Sequence, residues 1–293
     1  MFDSSGKFLF KIGELGGGPG EFIEVTSFTI DDKNDMLYVY DCTKLSISKF
    51  DKNGKFIETI VVDFYALNVE FHNDRFFFYT NYTESKKGPY NIIVTDMNGN
   101  VVSRQFPFKE KSSMHGFSNT CFHQSDGELR LIQGFDNEIY GFDEDKAYPK
   151  FQLLFKGKPI SIANFPDFDQ LEDYLMEHSR VVDFYNESDD LIYFLYFDRG
   201  KTHNCFYFKQ SGDLRVGSLQ NDLELLPFTP MAFMKGNKLI GYIKTEDVKY
   251  THDYIVQHPT EFPDDQIHNF NKIAQGVELS DNPIISIYHF KPF

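Results

Sequence analysis

The sequence has no tryptophan, three cysteines and fewer basic than acidic residues, with 29 Lys and Arg against 44 Asp and Glu among 293 residues. The net charge of −15 argues against a nucleic-acid partner and an anionic membrane surface, because both require clustered lysine and arginine. No apolar run approaches the ~18 residues of a membrane span. The first residues lack a basic stretch followed by an apolar one, so we expect no signal peptide in the chain as given.

Cysteine and histidine are few and scattered. The cysteines Cys42, Cys121 and Cys205 form no C-x-x-C spacing. Cys121 and Cys205 stand in apolar alternating stretches, so we expect buried free thiols, which pack as small apolar side chains. The nine histidines form no H-E-x-x-H or other compact ligand set, which argues against a zinc site. The sequence also lacks G-x-S-x-G, the motif of a Ser-His-Asp hydrolase.

The glycine-rich stretch GELGGGPGEF (13–22) has the composition of a phosphate-binding loop but not its pattern. A P-loop needs Lys and then Ser or Thr after its last glycine, where this stretch has Pro19 and Gly20. The dinucleotide pattern G-x-G-x-x-G ends wrongly on Glu21, whose charge would repel an anion. Pro19 also removes a backbone N–H donor. We therefore predict a tight connection between two β units here.

Polar turns between alternating apolar stretches recur along the chain in two interleaved series. Most of these turns contain Asn-Gly, Ser-Gly or similar pairs, which supply the positive φ angles of short hairpin turns. The first series comprises 2–13, 50–60, 95–106, 142–155 and 208–219. The second series comprises 28–41, 69–80, 121–134, 183–197 and 232–243. Two successive hairpins form a four-stranded repeat unit, spaced by roughly 45 to 65 residues as in propeller blades with insertions.

Sheets built from these hairpins would be apolar on both faces. The stretch LIYFLYF (191–197) is apolar throughout, as expected of a strand that lies between two neighbouring sheets. The 33 Phe and 17 Tyr residues provide ample core material. Radial stacking covers both faces of every sheet and leaves only short edges. We therefore predict an all-β fold, a β-propeller of four-stranded antiparallel blades that occupies 1–293 as a single domain.

The chain contains about five blades' worth of strands. It begins at the outermost strand of one unit and ends with NPIISIYHF (282–290), a third strand without a fourth. Four complete units lie between these ends. Either strand 8–12 completes the last unit and closes a five-bladed ring, or about one further blade is missing at the N-terminus of a six-bladed parent. The strand pattern leaves both arrangements open.

Helical insertions interrupt the strand pattern near 167–179 and 245–274. The first, FDQLEDYLMEHS (168–179), has apolar residues at helical spacing and Asp167 as an N-cap. Two further short helices are predicted over Thr245 to Pro259 and Thr260 to Ala274. Ile267, Phe270 and Ile273 would form the apolar stripe of the last one. We expect these helices to pack over one rim, with a substrate-gating lid as the alternative.

The phrases FDSSGKFLFKIGELGGGPGEF (2–22) and KFDKNGKFIETI (49–60) resemble NHL-type propeller repeats. Together with the terminal DNPIISIYHFKPF (281–293), they resemble the six-bladed β-propeller family that is abundant in Bacteroidetes. Members of that family carry a lipoprotein or secretory signal and about one blade before the first phrase, and this chain lacks both. The resemblance implies an extracytoplasmic location, in the periplasm or at the cell surface, and an architecture rather than a reaction.

Ligands of propellers bind at the central channel, near the loops that lead into the innermost strands. Alignment of the second hairpin series places Asn68, Glu70, Asn119 and Asp183 in the columns that face this channel. Their oxygen atoms would suit a hard cation such as Ca²⁺ or Mg²⁺. The alternative is that they are ordinary polar residues along a water-filled channel. We name them as candidate binding residues and predict no catalytic residue, no fixed cofactor and no metal site.

A regular framework without a catalytic constellation favours a binding or scaffold protein over an enzyme. We expect a non-enzymatic propeller outside the cytoplasm that recognises a protein, peptide or glycan on one rim. The alternative is a metal-assisted hydrolase or lyase that uses the channel carboxylates, and a purely structural spacer is a third hypothesis. A spacer would show no patch of exposed aromatic residues on a rim.

Overall fold

In the computed structural model of the chain, the residues described are 1–3, 7–108, 121–125, 127–133, 136–155, 180–181, 184–198, 201–217, 225–226, 230–235 and 238–289. They fall into two compact units, Met1–Asp183 and Phe184–Phe293. The fold is all-β, and its four-stranded antiparallel sheets are the blades of a β-propeller, as predicted. The assignment of 1–293 to one propeller domain stays a prediction.

The described residues of the first unit form three four-stranded antiparallel sheets and a short parallel strand pair. Its strands are β1 (Glu14–Leu15), β2 (Glu21–Phe22), β3 (Val25–Asp31), β4 (Met36–Asp41), β5 (Ser46–Asp51), β6 (Phe56–Val61), β7 (Asn68–His72), β8 (Arg75–Tyr79), β9 (Tyr90–Thr95), β10 (Val101–Pro107), β11 (Phe122–Ser125), β12 (Glu128–Ile132), β13 (Glu138–Asp143), β14 (Lys146–Gln152) and β15 (Arg180–Val181). The sheet orders are β3-β4-β5-β6, β7-β8-β9-β10 and β11-β12-β13-β14. Each sheet is therefore a meander of two successive hairpins, as the repeat pattern predicted.

In the second unit, the described part of the chain forms two sheets and a pair of helices. Its elements are β16 (Asn186–Glu187), β17 (Leu191–Asp198), β18 (Lys201–Phe208), β19 (Asp213–Gly217), β20 (Pro230–Lys235), β21 (Lys238–Ile243), α1 (Thr245–Gln257), α2 (Asp264–Ala274) and β22 (Ile284–His289). Strand β17 pairs with β16 and β18, and β18 pairs with β19. The last sheet has the order β20-β21-β22, so α1 and α2 lie in the connection between its second and third strands.

Aspartates at the start of the hairpin turns hold these turns closed. The carboxylate of Asp51 accepts the backbone N–H groups of Asn53 and Lys55, both at 2.9 Å. Asp96 accepts the N–H groups two and four positions later at the same distance. The glycine of each turn has a positive φ, 76° and 82°, which only glycine adopts freely. The recurring D-x-N-G phrase is thus the local signal that closes the hairpins.

Aromatic side chains fill the space between the first and second sheets. The ring of Tyr38 packs edge-on against Phe76, with centroids 4.9 Å apart. The hydroxyl of Tyr40 donates to the carbonyl of Phe64 at 2.8 Å and accepts the N–H of Ala66 at 3.0 Å. Because this hydroxyl satisfies backbone groups of the link between β6 and β7, it anchors that link to the core.

Strand β8 shows why a blade can be apolar on both faces. Its alternate residues Phe76 and Phe78 pack against the first sheet, and Phe77 and Tyr79 pack toward the third. All four side chains are fully buried. In the second unit, the residues of LIYFLYF from Leu191 to Leu195 are likewise all buried. The two-faced apolar strands of the sequence therefore correspond to sheets that are covered on both sides.

The helical pair of the second unit confirms one of the predicted insertions. The observed helices α1 and α2 lie within the predicted ranges of 245–259 and 260–274. Phe270 of α2 is fully buried, and Ile267 and Ile273 pack against the same cluster as Val248 and Ile255 of α1. This apolar cluster explains why two short helices hold a fixed arrangement here. The helix predicted over 168–179 lies outside the described residues.

Several other expectations concern the ends of the chain and the thiols. Residues 8–12, which we considered as a closing strand, carry only an isolated bridge between Phe2 and Phe8 among the described residues. Strand β22 is the third strand of its sheet, as predicted. Blade number stays a prediction. All three cysteines are buried thiols outside any disulfide, which confirms the expectation for Cys121 and Cys205.

The glycine-rich loop is closed by its own acid. The Glu21 carboxylate accepts the N–H of Gly18 at 2.7 Å. The Lys44 ammonium group donates to the carbonyls of Gly18 and Glu21, at 2.9 and 2.8 Å. The side chain of Phe22, which follows, packs on Phe50 of β5. Glu21 therefore occupies a donor position that a phosphate would need, and the loop acts as a connection, as the sequence indicated.

Candidate functional site

The first strand of each sheet in the first unit carries polar side chains toward its neighbour. Strands β3, β7 and β11 begin the three successive sheets, so each has one edge that pairs with no strand of its own sheet. Such edges expose backbone N–H and C=O groups that need partners. The polar side chains on these strands therefore have two possible uses, which are ligand binding and satisfaction of the neighbouring backbone.

A carboxylate on β7 receives hydrogen bonds from both neighbouring sheets. The hydroxyl of Thr29 on β3 donates to Glu70 Oε1 at 2.8 Å. The amide of Gln124 on β11 donates to the same oxygen at 2.5 Å. Thr29 is buried, Glu70 is partly buried and Gln124 is exposed, so the group opens to solvent on the Gln124 side. We call these three residues the Glu70 cluster.

The same side chains also cap the backbone edge of β7. Ser27 Oγ accepts the N–H of Val69 at 3.1 Å and lies 3.3 Å from the Val69 carbonyl. Thr29 Oγ1 accepts the N–H of Phe71 at 3.0 Å, and the Gln124 amide donates to the Phe71 carbonyl at 2.8 Å. Each hydroxyl and amide thus replaces a missing strand neighbour. The cluster joins three sheets through hydrogen bonds that a bare β edge would lack.

Burial makes both ionisable groups of this strand prefer their neutral forms. It raises the pKa of Glu70 to about 7, against the lowering effect of the hydrogen bonds from Thr29 and Gln124. It lowers the pKa of His72, against a hydrogen bond with Gln124 that acts in the opposite direction. The side-chain amide of Asn73 also lies 3.0 Å from His72 Nε2. Burial therefore brings the pKa of Glu70 much closer to neutral pH than that of an exposed carboxyl group.

The structure brings together only part of the predicted residue set. Asn68 and Glu70 lie two residues apart on β7, and the Asn68 side chain makes no hydrogen bond within the described part of the chain. Asn119 and Asp183 lie outside the described residues. The four-residue set thus stays a prediction. Among the residues that the structure does describe, no group of three His, Cys, Asp or Glu side chains could hold a metal ion.

Sequence reasoning missed the residue of β11 that contacts Glu70. Gln124 makes this contact and is not among the candidate residues predicted from the sequence. Strand β11 begins only at Phe122, so the alignment of polar positions in the sequence does not match the register of the neighbouring strands. The alternation of side chains along β11 could have indicated Gln124. Phe122 and Gln124 lie on the same face of the strand, which is also the face of their cross-strand partners Leu131 and Leu129.

A second candidate surface lies on α1 in the second unit. Tyr250 and Tyr254 are one helical turn apart and remain 72% and 38% exposed. The Tyr254 ring stacks on His258 with centroids 4.4 Å apart, and its hydroxyl donates to Glu261 at 3.0 Å. The His258 ring in turn lies 3.2 Å from Glu261. These contacts fix the orientation of exposed rings. We call Tyr250, Tyr254 and His258 the α1 aromatic surface.

The comparisons with known proteins bear on the whole chain. A protein-family model described as "Domain of unknown function (DUF4934)" matches residues 1–289. The chain belongs to the DUF4934 family. No curated protein matches this DUF4934 chain in sequence. No helix among the described residues is long and apolar enough to cross a membrane.

Two solved structures resemble this DUF4934 protein over most of its length. One is from Bacteroides fragilis and described as a "Putative exported protein", with a TM-score of 0.77 and 17% identity. The match covers 99% of this chain and 84% of the other. The second, a member of the DUF4221 family from Bacteroides vulgatus, has a TM-score of 0.54 and 10% identity, over 90% and 82% of the two chains. At these identities, the likeness shows the fold alone.

Proposed function

We propose that this DUF4934 protein is a non-enzymatic binding propeller outside the cytoplasm that recognises a protein, peptide or glycan on one rim. The observation that carries the proposal is the α1 aromatic surface. Exposed tyrosines offer a large contact area and a polar hydroxyl at low entropic cost, so they are favoured in recognition surfaces. A spacer protein would have no need to hold Tyr254 in place through His258 and Glu261.

The use of the inner polar residues supports binding over catalysis. The side chains of Ser27, Thr29 and Gln124 form hydrogen bonds with the backbone of β7, and two of them also bind Glu70. Glu70 in turn receives two donors on a single oxygen. A general acid or base needs a free path to a substrate proton, and a nucleophile needs an adjacent base. The Glu70 cluster is better explained as a structural connection between sheets.

The chemistry around the tyrosines limits the kind of partner. Glu246, Asp247 and Asp253 on α1 outnumber Lys249, and the chain as a whole has a net charge of −15. A partner with hydrogen-bond donors or basic groups is therefore favoured electrostatically. The extracytoplasmic location is supported by the description of the B. fragilis structure as exported.

Array profiling tests this proposal. The full chain is labelled and applied to a glycan array and a peptide array, beside the double variant Tyr250→Ser with Tyr254→Ser. We expect the wild-type protein to bind a subset of spots and the double variant to lose them. Val256→Ser, which changes an exposed apolar residue of the same helix, is the matched control and should bind as wild type. Equal binding by the double variant would remove α1 from the proposed function.

The raised pKa of Glu70 favours a second candidate function, a metal-assisted hydrolase or lyase at the channel. A carboxyl group with a pKa of about 7 has the proton affinity of a general acid or base at neutral pH. Thermal melting in millimolar Ca²⁺ or Mg²⁺, against chelator, tests for the cation, because a ligand that binds only the native state raises Tm. A rise that Glu70→Gln abolishes would support this function, and an unchanged Tm would count against it.

A further inference from the structure

A cleft on the third sheet of the first unit has the features of a small-ligand site. It lies at the end of the sheet where the β11–β12 and β13–β14 turns are found, and its volume is about 550 Å³. The cleft is wide open to solvent rather than enclosed. The lining residues are Glu128, Phe142, Asp143, Lys146, Ala147 and Tyr148. The Glu70 cluster and the α1 aromatic surface share no residue with it.

An aromatic ring that crosses a glycine forms part of the cleft. Gly141 of β13 lies opposite Tyr148 of β14. A Cβ atom placed on Gly141 would come within 2.7 Å of the Tyr148 Cζ and hydroxyl oxygen, so the ring passes directly over the glycine. Tyr148 is only partly buried, and the Lys150 ammonium group lies over its ring at 6.0 Å from the centroid. The absence of a side chain at Gly141 is thus what allows an aromatic platform here.

Charged groups of both signs frame this platform. Glu128 Oε2 accepts Arg130 at 2.6 Å and Lys150 at 3.0 Å. The hydrogen bonds from Lys150 and Arg130 hold the pKa of Glu128 below its ordinary value, so this carboxylate stays ionised. Its second oxygen has no partner among the described residues. Glu128 is therefore a fixed acceptor with one free oxygen atom.

A second carboxylate and an ammonium group lie beside Glu128. Asp143 and Lys146 are directly opposite each other on β13 and β14, and neither side chain forms a hydrogen bond or ion pair within the described part of the protein. Because side chains alternate along a strand, Glu128 and Arg130 share one face of β12, and Gly141 and Asp143 share the same face of β13. Acceptors and a donor thus lie next to the ring, on its own side of the sheet.

We propose that this cleft binds a neutral saccharide. One side of a pyranose ring presents C–H groups that pack on the flat face of an aromatic ring such as Tyr148. Its hydroxyls both donate and accept, so they match a free carboxylate oxygen of Glu128, the Asp143 carboxylate and the Lys146 ammonium group. A cationic peptide fits less well, since Lys146, Arg130 and Lys150 place positive charge around the same cleft.

Saturation-transfer NMR tests the proposal on the full chain with a panel of methyl pyranosides and disaccharides of glucose, galactose, mannose and N-acetylglucosamine. We expect at least one of them to bind with a Kd on the order of 1 mM. Tyr148→Ala should weaken this binding at least about tenfold by removal of the platform, whereas Tyr148→Phe should remain within about twofold because the ring persists. Gly141→Ala should weaken it too, since the new methyl group displaces the ring.

The variants must remain folded for this comparison, which far-UV circular dichroism and Tm values check in the same samples. No saccharide signal from the folded wild-type protein would overturn the proposal. Equal affinity of wild type and Tyr148→Ala would also overturn it, as would selective binding of a lysine-rich peptide in place of sugars. Because the double variant of Tyr250 and Tyr254 leaves this cleft intact, it should retain the saccharide signal whether or not the α1 aromatic surface binds a partner.

Discussion

Thr29 Oγ1 lies 2.8 Å from Glu70 Oε1 and 3.0 Å from the backbone nitrogen of Phe71. One hydroxyl thus donates to a side chain and accepts from the backbone of the neighbouring sheet. From the other side, the Gln124 amide donates to both Glu70 and the Phe71 carbonyl. The first strands of three sheets are therefore connected by polar groups in addition to the aromatic core.

Removal of the Thr29 hydroxyl should measure the strength of this connection. Thr29→Val keeps the side-chain shape but leaves the Phe71 N–H without a partner, so we expect a loss of about 1–3 kcal/mol in the free energy of unfolding. Urea denaturation gives this value. Thr59→Val on β6 is the matched control, because Thr59 is exposed and makes no side-chain hydrogen bond among the described residues. Equal effects of the two changes would show that the Thr29 contacts are not stabilising.

Glu70 should make stability fall as the pH rises. Its pKa in the folded protein is about 7 against 4.5 without the fold, so the folded state holds this proton more tightly. Stability from this group is complete below pH 4.5 and is lost as the pH rises toward 7, by at most about 3 kcal/mol. Glu70→Gln keeps an oxygen acceptor and removes the titration. We therefore expect the variant to be more stable than wild type at pH 8.

Urea denaturation of both proteins between pH 4.5 and 8 checks this prediction. The difference between wild type and Glu70→Gln isolates Glu70, because His72 is retained in both proteins. The lowered pKa of His72 acts in the opposite direction, since its contribution is lost as the pH falls. A difference that does not change with pH would contradict the raised pKa of Glu70.

Substitution of two turn glycines distinguishes the cost of backbone strain from the cost of a steric clash between sheets. Gly99 has a φ of 82°, and a Cβ placed there would collide with the carbonyl oxygen of Val61 on the first sheet. Gly212 has a φ of 76° and open space around the same position. Gly212→Ala should cost only the ~1 kcal/mol of an unfavourable φ, whereas Gly99→Ala should cost clearly more. Thermal unfolding of the two variants measures the difference, and equal losses would refute the close approach.

Asp41 should be a carboxylate on which the stability of the first unit depends. Burial alone would raise its pKa, but four backbone N–H groups outweigh burial and lower it. These donors are the amides of Ile23, Glu24, Thr43 and Lys44. Asp41→Asn loses part of this acceptor capacity, and we expect a cost of about 1–3 kcal/mol at pH 7.

The Asp41 contribution should disappear as the pH falls through its lowered pKa, because protonation then removes the same acceptor capacity. The control is Asp63→Asn, which disrupts only an exposed ion pair with Lys86. Its effect on chemical denaturation should be too small to resolve. An Asp41 variant as stable as this control would exclude the proposed role.

Most of the strand order could be read from the sequence, because the signals are local. The D-x-N-G phrases that end at Gly54 and Gly99 set the turns, and alternation set the strands. Helix α2 was visible for a similar reason, since Ile267, Phe270 and Ile273 recur at helical spacing. Such patterns act within about a dozen residues of the chain and need no knowledge of the tertiary structure.

The contacts between sheets could not be read in this way. Gln124 meets Glu70 across 54 residues, and the turn pattern does not fix the register of one sheet against the next. From this part of the chain, the polar columns selected Asn119 and not Gln124. The platform of Tyr148 over Gly141 was missed as well, because it depends on pairing between β13 and β14 after a β-bulge. The α1 aromatic surface was not predicted either, because the sequence does not show directly which side chains are exposed to solvent.

The most direct test of the account compares array binding of two full-length variants side by side, Glu70→Gln and the Tyr250→Ser with Tyr254→Ser double variant. We assign Glu70 to the connection between sheets and recognition to the tyrosines. We therefore predict a wild-type binding profile for Glu70→Gln and loss of that profile for the double variant. Loss of binding in a folded Glu70→Gln protein, with binding retained by the double variant, would contradict this assignment.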